Sequence, residues 1–177
     1  MKRLLFVFLL ASLAGNAYFA WRCNPFRGKA ETAPAEAEDE TKLGPADRVV
    51  KFLKDSKVFY IATVDGKGAQ VRPFGVALNI DGKVSVCTGA WKNVAKQILA
   101  NPNVAISAMR ADGKYIRITG RLSDNSTETN RVRFMKAAPE LESLYKGKED
   151  EFRVLSFLGA YVTIEDTAGH REAFELK

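Results

Sequence analysis

The sequence has a single histidine, His170, and only two cysteines, Cys23 and Cys87, in 177 residues. A histidine-rich metal site, a CxxC redox pair and a zinc ribbon are therefore excluded. A Ser/His/Asp triad would have to recruit His170, which lies beside Gly169 in a turn-like stretch close to the C-terminus, a poor place to bury a base. There is no GxxxxGK(S/T) phosphate loop, and Gly66-Lys67-Gly68 lacks the third glycine and the following helix of a dinucleotide fingerprint. No paired-carboxylate motif stands out in the folded part, and Glu149-Asp150-Glu151 reads as a solvated turn. An enzyme built from this inventory would take its chemistry from a cofactor.

Apolar residues at 46% and charged residues at 27% fit one globular domain of ordinary composition. Its N-terminal flank is different. Leu4 to Trp21 carries no charge and follows Lys2-Arg3; as a helix it would span roughly 27 Å at about 1.5 Å per residue. Gly15-Asn16-Ala17 suits a signal-peptidase cut, whereas Tyr18, Phe19 and Trp21 form the aromatic belt of an uncleaved anchor. Cys23 follows Ala20-Trp21-Arg22, too bulky and charged for a lipoprotein site. Lys2 and Arg3 before the span are balanced by Arg22, Arg27 and Lys29 after it, so the side of the membrane stays open. The expected location is the cell envelope, by anchor or by export. Ala30 to Thr41 holds five acids, no base and one proline, a solvated spacer. The domains expected are residues 1–21 as signal peptide or anchor, 22–42 as a flexible acidic linker, and 43–177 as the folded domain.

The first 41 residues carry as many acids as bases, so the domain keeps the whole net charge of +6. That charge suits an anionic ligand, a nucleic acid or an acidic membrane, or else is ordinary surface solvation. Arg131, Arg133 and Lys136 have no aromatic-rich face beside them, so no nucleic-acid partner is expected.

Periodicity predicts a helix over Ala46–Asp55 and strands over 58–64, 69–80 and 83–88 joined by Asp65-Gly66 and Asp81-Gly82 as an antiparallel meander. A helix over Lys92–Ala100 follows, then strands over 103–109 and 114–123 around Asp112-Gly113. Helices over 127–138 and 140–145 flank Pro139, placed at N1, and strands over 152–158, 161–165 and 173–176 close the sheet. The fold class expected is mainly β with short helices: a six- to seven-stranded antiparallel barrel, preceded by the signal or anchor helix.

Two stretches could carry chemistry. In Val71-Arg72-Pro73-Phe74-Gly75 the proline removes a ladder donor and the glycine permits close approach. The stretch is either edge protection with an exposed arginine, or Arg72 on an anion beside a flat ligand. Cys87-Thr88-Gly89-Ala90-Trp91-Lys92-Asn93 runs from a strand through a glycine turn into a helix start, where free amides, Thr88 and Lys92 suit a phosphate. Lys96 lies one turn on with Gln97 beside it; a lysine-rich exposed helix start reads the same way. Cys87 is a buried small apolar residue or a contact to a ligand ring.

The runs FYIATVDGKGAQVRPFGVAL, GKVSVCTGAWKNVAKQILANPNVAI and GKYIRITGRL, in that order, resemble the pyridoxamine 5'-phosphate oxidase-like family of FMN-binding split barrels, over about Arg48 to Asp166. The resemblance implies a six-stranded antiparallel split barrel and a homodimer with FMN at the subunit interface. By position it implies Arg72 on the FMN phosphate and Pro73, Phe74 and Gly75 along the isoalloxazine ring. Thr88 and Lys92 would join the phosphate, with Asn93 and Gln97 as further ligands; Arg117 matches a strand that is often structural. True pyridoxamine phosphate oxidases end in a segment rich in arginine and tryptophan, whereas Ile164 to Lys177 offers only His170 and Arg171. The likeness is thus to the uncharacterised bacterial branch, and it implies an FMN-dependent oxidoreductase acting on a small molecule rather than on vitamin B6. The alternatives are a non-catalytic haem or flavin binding or sensing protein on the same barrel, and a deazaflavin-dependent reductase.

Overall fold

The computed structural model describes residues 40–66 and 68–177. The expected signal peptide or anchor of residues 1–21 and nearly all of the linker lie outside the described residues. Among those described, no helix is long and apolar enough to cross a membrane.

Helix α1 (Pro45–Asp55) has proline in its first turn and buries Ala46, Val49, Val50, Phe52 and Leu53 along one stripe. Strands β1 (Phe59–Val64), β2 (Ala69–Phe74), β3 (Ala77–Ile80) and β4 (Lys83–Gly89) follow. After α2 (Asn93–Ala100) come β5 (Asn103–Met109) and β6 (Tyr115–Asp124), then α3 (Glu128–Ala137), α4 (Glu140–Tyr145), β7 (Phe152–Glu165) and β8 (Arg171–Leu176). The result is mainly antiparallel sheet with four short helices. Thr127 caps α3, its hydroxyl accepting from the Asn130 amide, and Pro139 stands at the N-cap of α4, one position before the expected N1.

The strand order is β2-β1-β5-β6-β7-β4-β3, with β8 also paired to β7. This corrects the meander. The segment 69–80 is two strands, and they lie at opposite ends of the sheet. Pro73 cannot donate to a ladder and sits opposite Tyr60 on the edge strand β2, after which Gly75 and Val76 belong to neither strand. The chain thereby leaves one edge and starts the other, where Asp81 and Gly82, both at positive φ, turn β3 back into β4.

The second correction concerns 152–158 and 161–165, which form one 14-residue strand. Opposite β6 the register slips between Arg121 and Leu122, leaving Leu158 as the extra residue of a bulge. Along its other edge β7 pairs first with β4 (Phe152–Ser156) and then with β8 (Ala160–Glu165). The described strands therefore number eight.

Ile61, Val86, Ile106, Ile118, Leu155 and Val162 join the α1 stripe in one buried cluster, so the sheet curls about a single core. On its other face, Ile80, Cys87, Phe152 and Val154 are covered by Phe134 of α3 and Tyr145 of α4. No described helix covers the outer face of β2, β1 and β5.

Ion pairs clasp the periphery. Arg48 of α1 binds both Glu172 oxygens at 2.6 and 2.7 Å, and Arg110 binds Asp112 and Glu40 while its guanidinium lies 4.7 Å from the Phe52 ring centroid. The arginine partners hold the Glu172 and Asp112 carboxyls below their ordinary values. A carboxyl depressed in the folded state adds stability above its unfolded pKa of about 4, and loses it as pH falls through the folded value. The melting temperature should thus be flat near neutrality and fall below about pH 4. Arg110→Ala, followed by scanning calorimetry, should melt lower at pH 7 and show a shallower acid fall; an unchanged acid slope would mean that the pair contributes nothing.

Candidate functional site

The inner face of β1 and β2 carries Phe59, Ile61 and Thr63 opposite Phe74, Arg72 and Gln70. Phe59 and Phe74 stack at 6.0 Å, which fixes Phe74 at the point where β2 ends. Facing this strand end is the other stretch singled out from sequence. Thr88 and Gly89 pair with Arg153 and Phe152, the Ala90 amide donates to the Glu151 carbonyl, and Lys92 takes the N-cap position of α2. No side chain caps α2. Its first amides, those of Asn93 and Val94, have no intrahelical acceptor, and the helix dipole is positive there.

Between the two stretches lies a cleft of about 350 Å³, lined by Arg72, Pro73, Phe74, Gly75, Thr88, Lys92 and Asn93 among others. Seven of the eight residues singled out from sequence therefore share one cavity. The eighth does not. Gln97 is turned to Arg72 instead, its Oε1 accepting from Arg72 Nη2 at 2.6 Å. Arg72 Nη1 donates to Thr63 Oγ1 at 2.7 Å, and Thr63 is 1% exposed. Arg117 is on the exposed face of β6, over the Tyr115 ring, and does not line the cleft. A Cβ on Gly75 would meet only the Lys57 carbonyl oxygen at 3.9 Å, so the chain itself does not crowd that position.

Thr63 had a readable signal: it is the polar residue on an otherwise apolar inward alternation, and the Asp65-Gly66 hairpin puts it diagonal to Arg72. Leu141, Leu144 and Tyr145, which roof the cleft from α4, had none. Of the three, Tyr145 is held by a file of rings, Trp91–Tyr145 at 5.4 Å, Tyr145–Phe152 at 4.6 Å and Phe152–Phe134 at 6.1 Å, with Lys148 Nζ 5.0 Å above Trp91. The Trp91 ring lies against Gly89, where a Cβ would come within 2.7 Å of it.

The cleft is electrostatically one-sided. Arg72 and Lys92 are its charged residues, and no carboxylate lines it. Burial pushes the Cys87 thiol up to about 12, against a smaller opposing influence of Lys92, and burial likewise pushes the Tyr145 phenol up to about 12. Both are neutral at physiological pH. The site can therefore hold an anion at one end and an apolar, flat group beside the Pro73–Val76 backbone.

Residues 45–158 match the protein family described as "Pyridoxamine 5'-phosphate oxidase". The chain belongs to this pyridoxamine 5'-phosphate oxidase-like family. Consistent with membership, it is similar to a NimC/NimA family protein of Clostridium acetobutylicum, at 34% identity over 74% of this chain and 92% of that one, with a TM-score of 0.71. Two less similar solved structures share the fold alone. One is a haem binding protein of Mycobacterium smegmatis, at 12% identity over 75% of this chain and 58% of that one, TM-score 0.59. The other, from Clostridium acetobutylicum, is related to general stress protein 26, at 12% identity over 78% and 97%, TM-score 0.59. No curated protein matches the chain.

Proposed function

We propose that this chain is an FMN-binding flavoprotein, an oxidoreductase acting on a small molecule. One observation carries the reading: Arg72, Thr88, Lys92 and the open start of α2 line one cleft together with the Pro73–Val76 backbone. That is the donor set of a phosphate site next to room for a planar ring. Bound there, FMN would supply hydride and electron transfer on its own ring system. Arg72 and Lys92 would hold the phosphate charge, the Thr88 hydroxyl and the amides of Asn93 and Val94 would donate to its oxygens, and Leu141, Leu144 and Tyr145 would shield the ring from water.

The family includes flavin and haem binders, and the cleft suits the flavin better. Haem iron needs an axial ligand. The lining offers Cys87 and Tyr145, whose raised pKa values oppose thiolate and phenolate. His170 is bound to Asp166 in the β7–β8 turn and does not line the cleft. The tail strand β8 does not line the cleft either, and vitamin B6 oxidation is not part of this reading. The test is an absorption spectrum of the purified full chain, as isolated and after incubation with FMN. Flavin bands are expected. A haem or deazaflavin spectrum, or no uptake from excess FMN, would sink the proposal.

The working unit in this reading is a homodimer, held in the bacterial cell envelope through the N-terminal segment. The bare outer face supports the dimer: Tyr60 is 51% exposed and Val71 61%, with Pro73 and Ala62 beside them, and Pro73 also borders the cleft. Val71→Glu should convert a dimer to a monomer in analytical ultracentrifugation, while a monomeric parent chain would refute the assembly.

A further inference from the structure

Arg72 is already engaged before any ligand arrives, and by neutral partners. Nη1 donates to Thr63 Oγ1 at 2.7 Å, Nη2 to Gln97 Oε1 at 2.6 Å, and Thr63 Oγ1 itself donates to Gln97 Oε1 at 2.8 Å. The three side chains close a triangle drawn from β2, β1 and α2. Thr63 is fully buried and β-branched, so it is a fixed post, and Gln97 rides on the helix whose first turn brings Lys92 and Asn93 to the cleft. The triangle occupies one hydrogen on each Nη and leaves the rest of the guanidinium fork available to an anion.

We propose that Thr63 and Gln97 are positioning residues that pre-orient Arg72 for the phosphate end of the cleft, a role that rests on the FMN reading above. An arginine on an edge strand has a long flexible stem, and holding its fork in one pose removes the ordering cost from the binding step. A carboxylate could hold the fork too, but it would cancel the charge on which the anion depends. The amide and the hydroxyl orient the cation and leave its charge intact. Gln97 thus acts through Arg72, in contrast to the direct phosphate contact that the family resemblance implies.

The test is a double-mutant cycle on the full chain, read as the FMN dissociation constant by flavin fluorescence. Thr63→Val keeps the shape of the side chain and removes its hydroxyl; Gln97→Ala removes the amide. Each should weaken FMN binding roughly tenfold, and Thr63→Ser should restore it. Placed in an Arg72→Ala background, neither should cost anything more, because the group they position is gone. If Gln97→Ala costs the same factor with and without Arg72, Gln97 touches the ligand itself and the proposal is overturned. Wild-type affinity in both single variants overturns it as well. Should Thr63→Val fail to fold, the cycle with Gln97→Ala, a half-buried position on α2, decides alone. The underlying reading fails by a separate sign: a parent chain that takes up no FMN, or an Arg72→Ala variant that binds as well as the parent, removes the phosphate site and the clamp with it.

Discussion

Arg72→Ala should weaken FMN binding by roughly 10- to 100-fold, since a hydrogen bond to a charged group is worth about 1.5–3 kcal/mol and each 1.4 kcal/mol is a factor of ten. Lys92→Ala should fall in the same range, by loss of a point charge rather than of an oriented fork. Riboflavin, which has no phosphate, should bind parent and variants alike, and that control separates a lost phosphate contact from a damaged cleft. The fold should tolerate Arg72→Ala, because β2 is an edge strand whose ladder bonds come from the backbone. If both variants keep parental affinity for FMN, the phosphate sits elsewhere.

Gly120→Ala should be the most damaging small substitution in the sheet. Gly120 pairs with Ala160 beside the bulge at Leu158, and a Cβ there would lie 2.4 Å from the Gly159 carbonyl oxygen and 2.7 Å from the Ala160 Cβ. Neither neighbour is the free end of a flexible chain, so the β6–β7 ladder itself must shift. Overpacking of this kind costs about 3 kcal/mol, which for a domain of this size lowers the melting temperature by roughly 10 °C. Gly68→Ala is the control: a Cβ at Gly68 meets nothing within 4 Å, and the melting temperature should hardly move. Similar melting temperatures for the two variants would show that the bulge gives way freely.

The sequence was informative where the cause of structure is local. Asp65-Gly66, Asp81-Gly82 and Asp112-Gly113 all mark reversals, with the three glycines at positive φ, and the apolar stripe of α1 matches its buried residues. The candidate site was legible for a related reason. Most of its lining comes from two short continuous stretches, each with its own grammar: a proline and glycine closing an edge strand, and a glycine turn opening a helix.

Local rules failed where a choice depends on distant partners. Nothing between Ala69 and Ile80 states that the chain must leave one edge of the sheet and begin the opposite one; only the pairing of β2 with β1 and of β3 with β4 reveals it. The stretch around Leu158 looked like a break between strands because a bulge interrupts the inside-outside alternation without interrupting the strand. The resemblance places Gln97 among the further phosphate ligands, and what the structure adds is that its Oε1 accepts from Thr63 and Arg72, contacts set by a neighbouring strand pair rather than by its own helix. The α4 roof arrives from far along the chain and is fixed by ring packing, which has no signature in sequence.

The place of β7 in the chain sets the timing of folding. It is the strand on which β4, β6 and β8 all converge, yet it is the last but one to be made. During synthesis β4 has only β3 to pair with, and β6 only β5, until Phe152 and the residues after it emerge. The decisive contacts span long stretches of chain, and such topologies close late. Until β7 is in place the β3–β4 pair has no strand joining it to the rest of the sheet, so the cleft, whose lining comes from the ends of both β2 and β4, can form only when the chain is nearly complete.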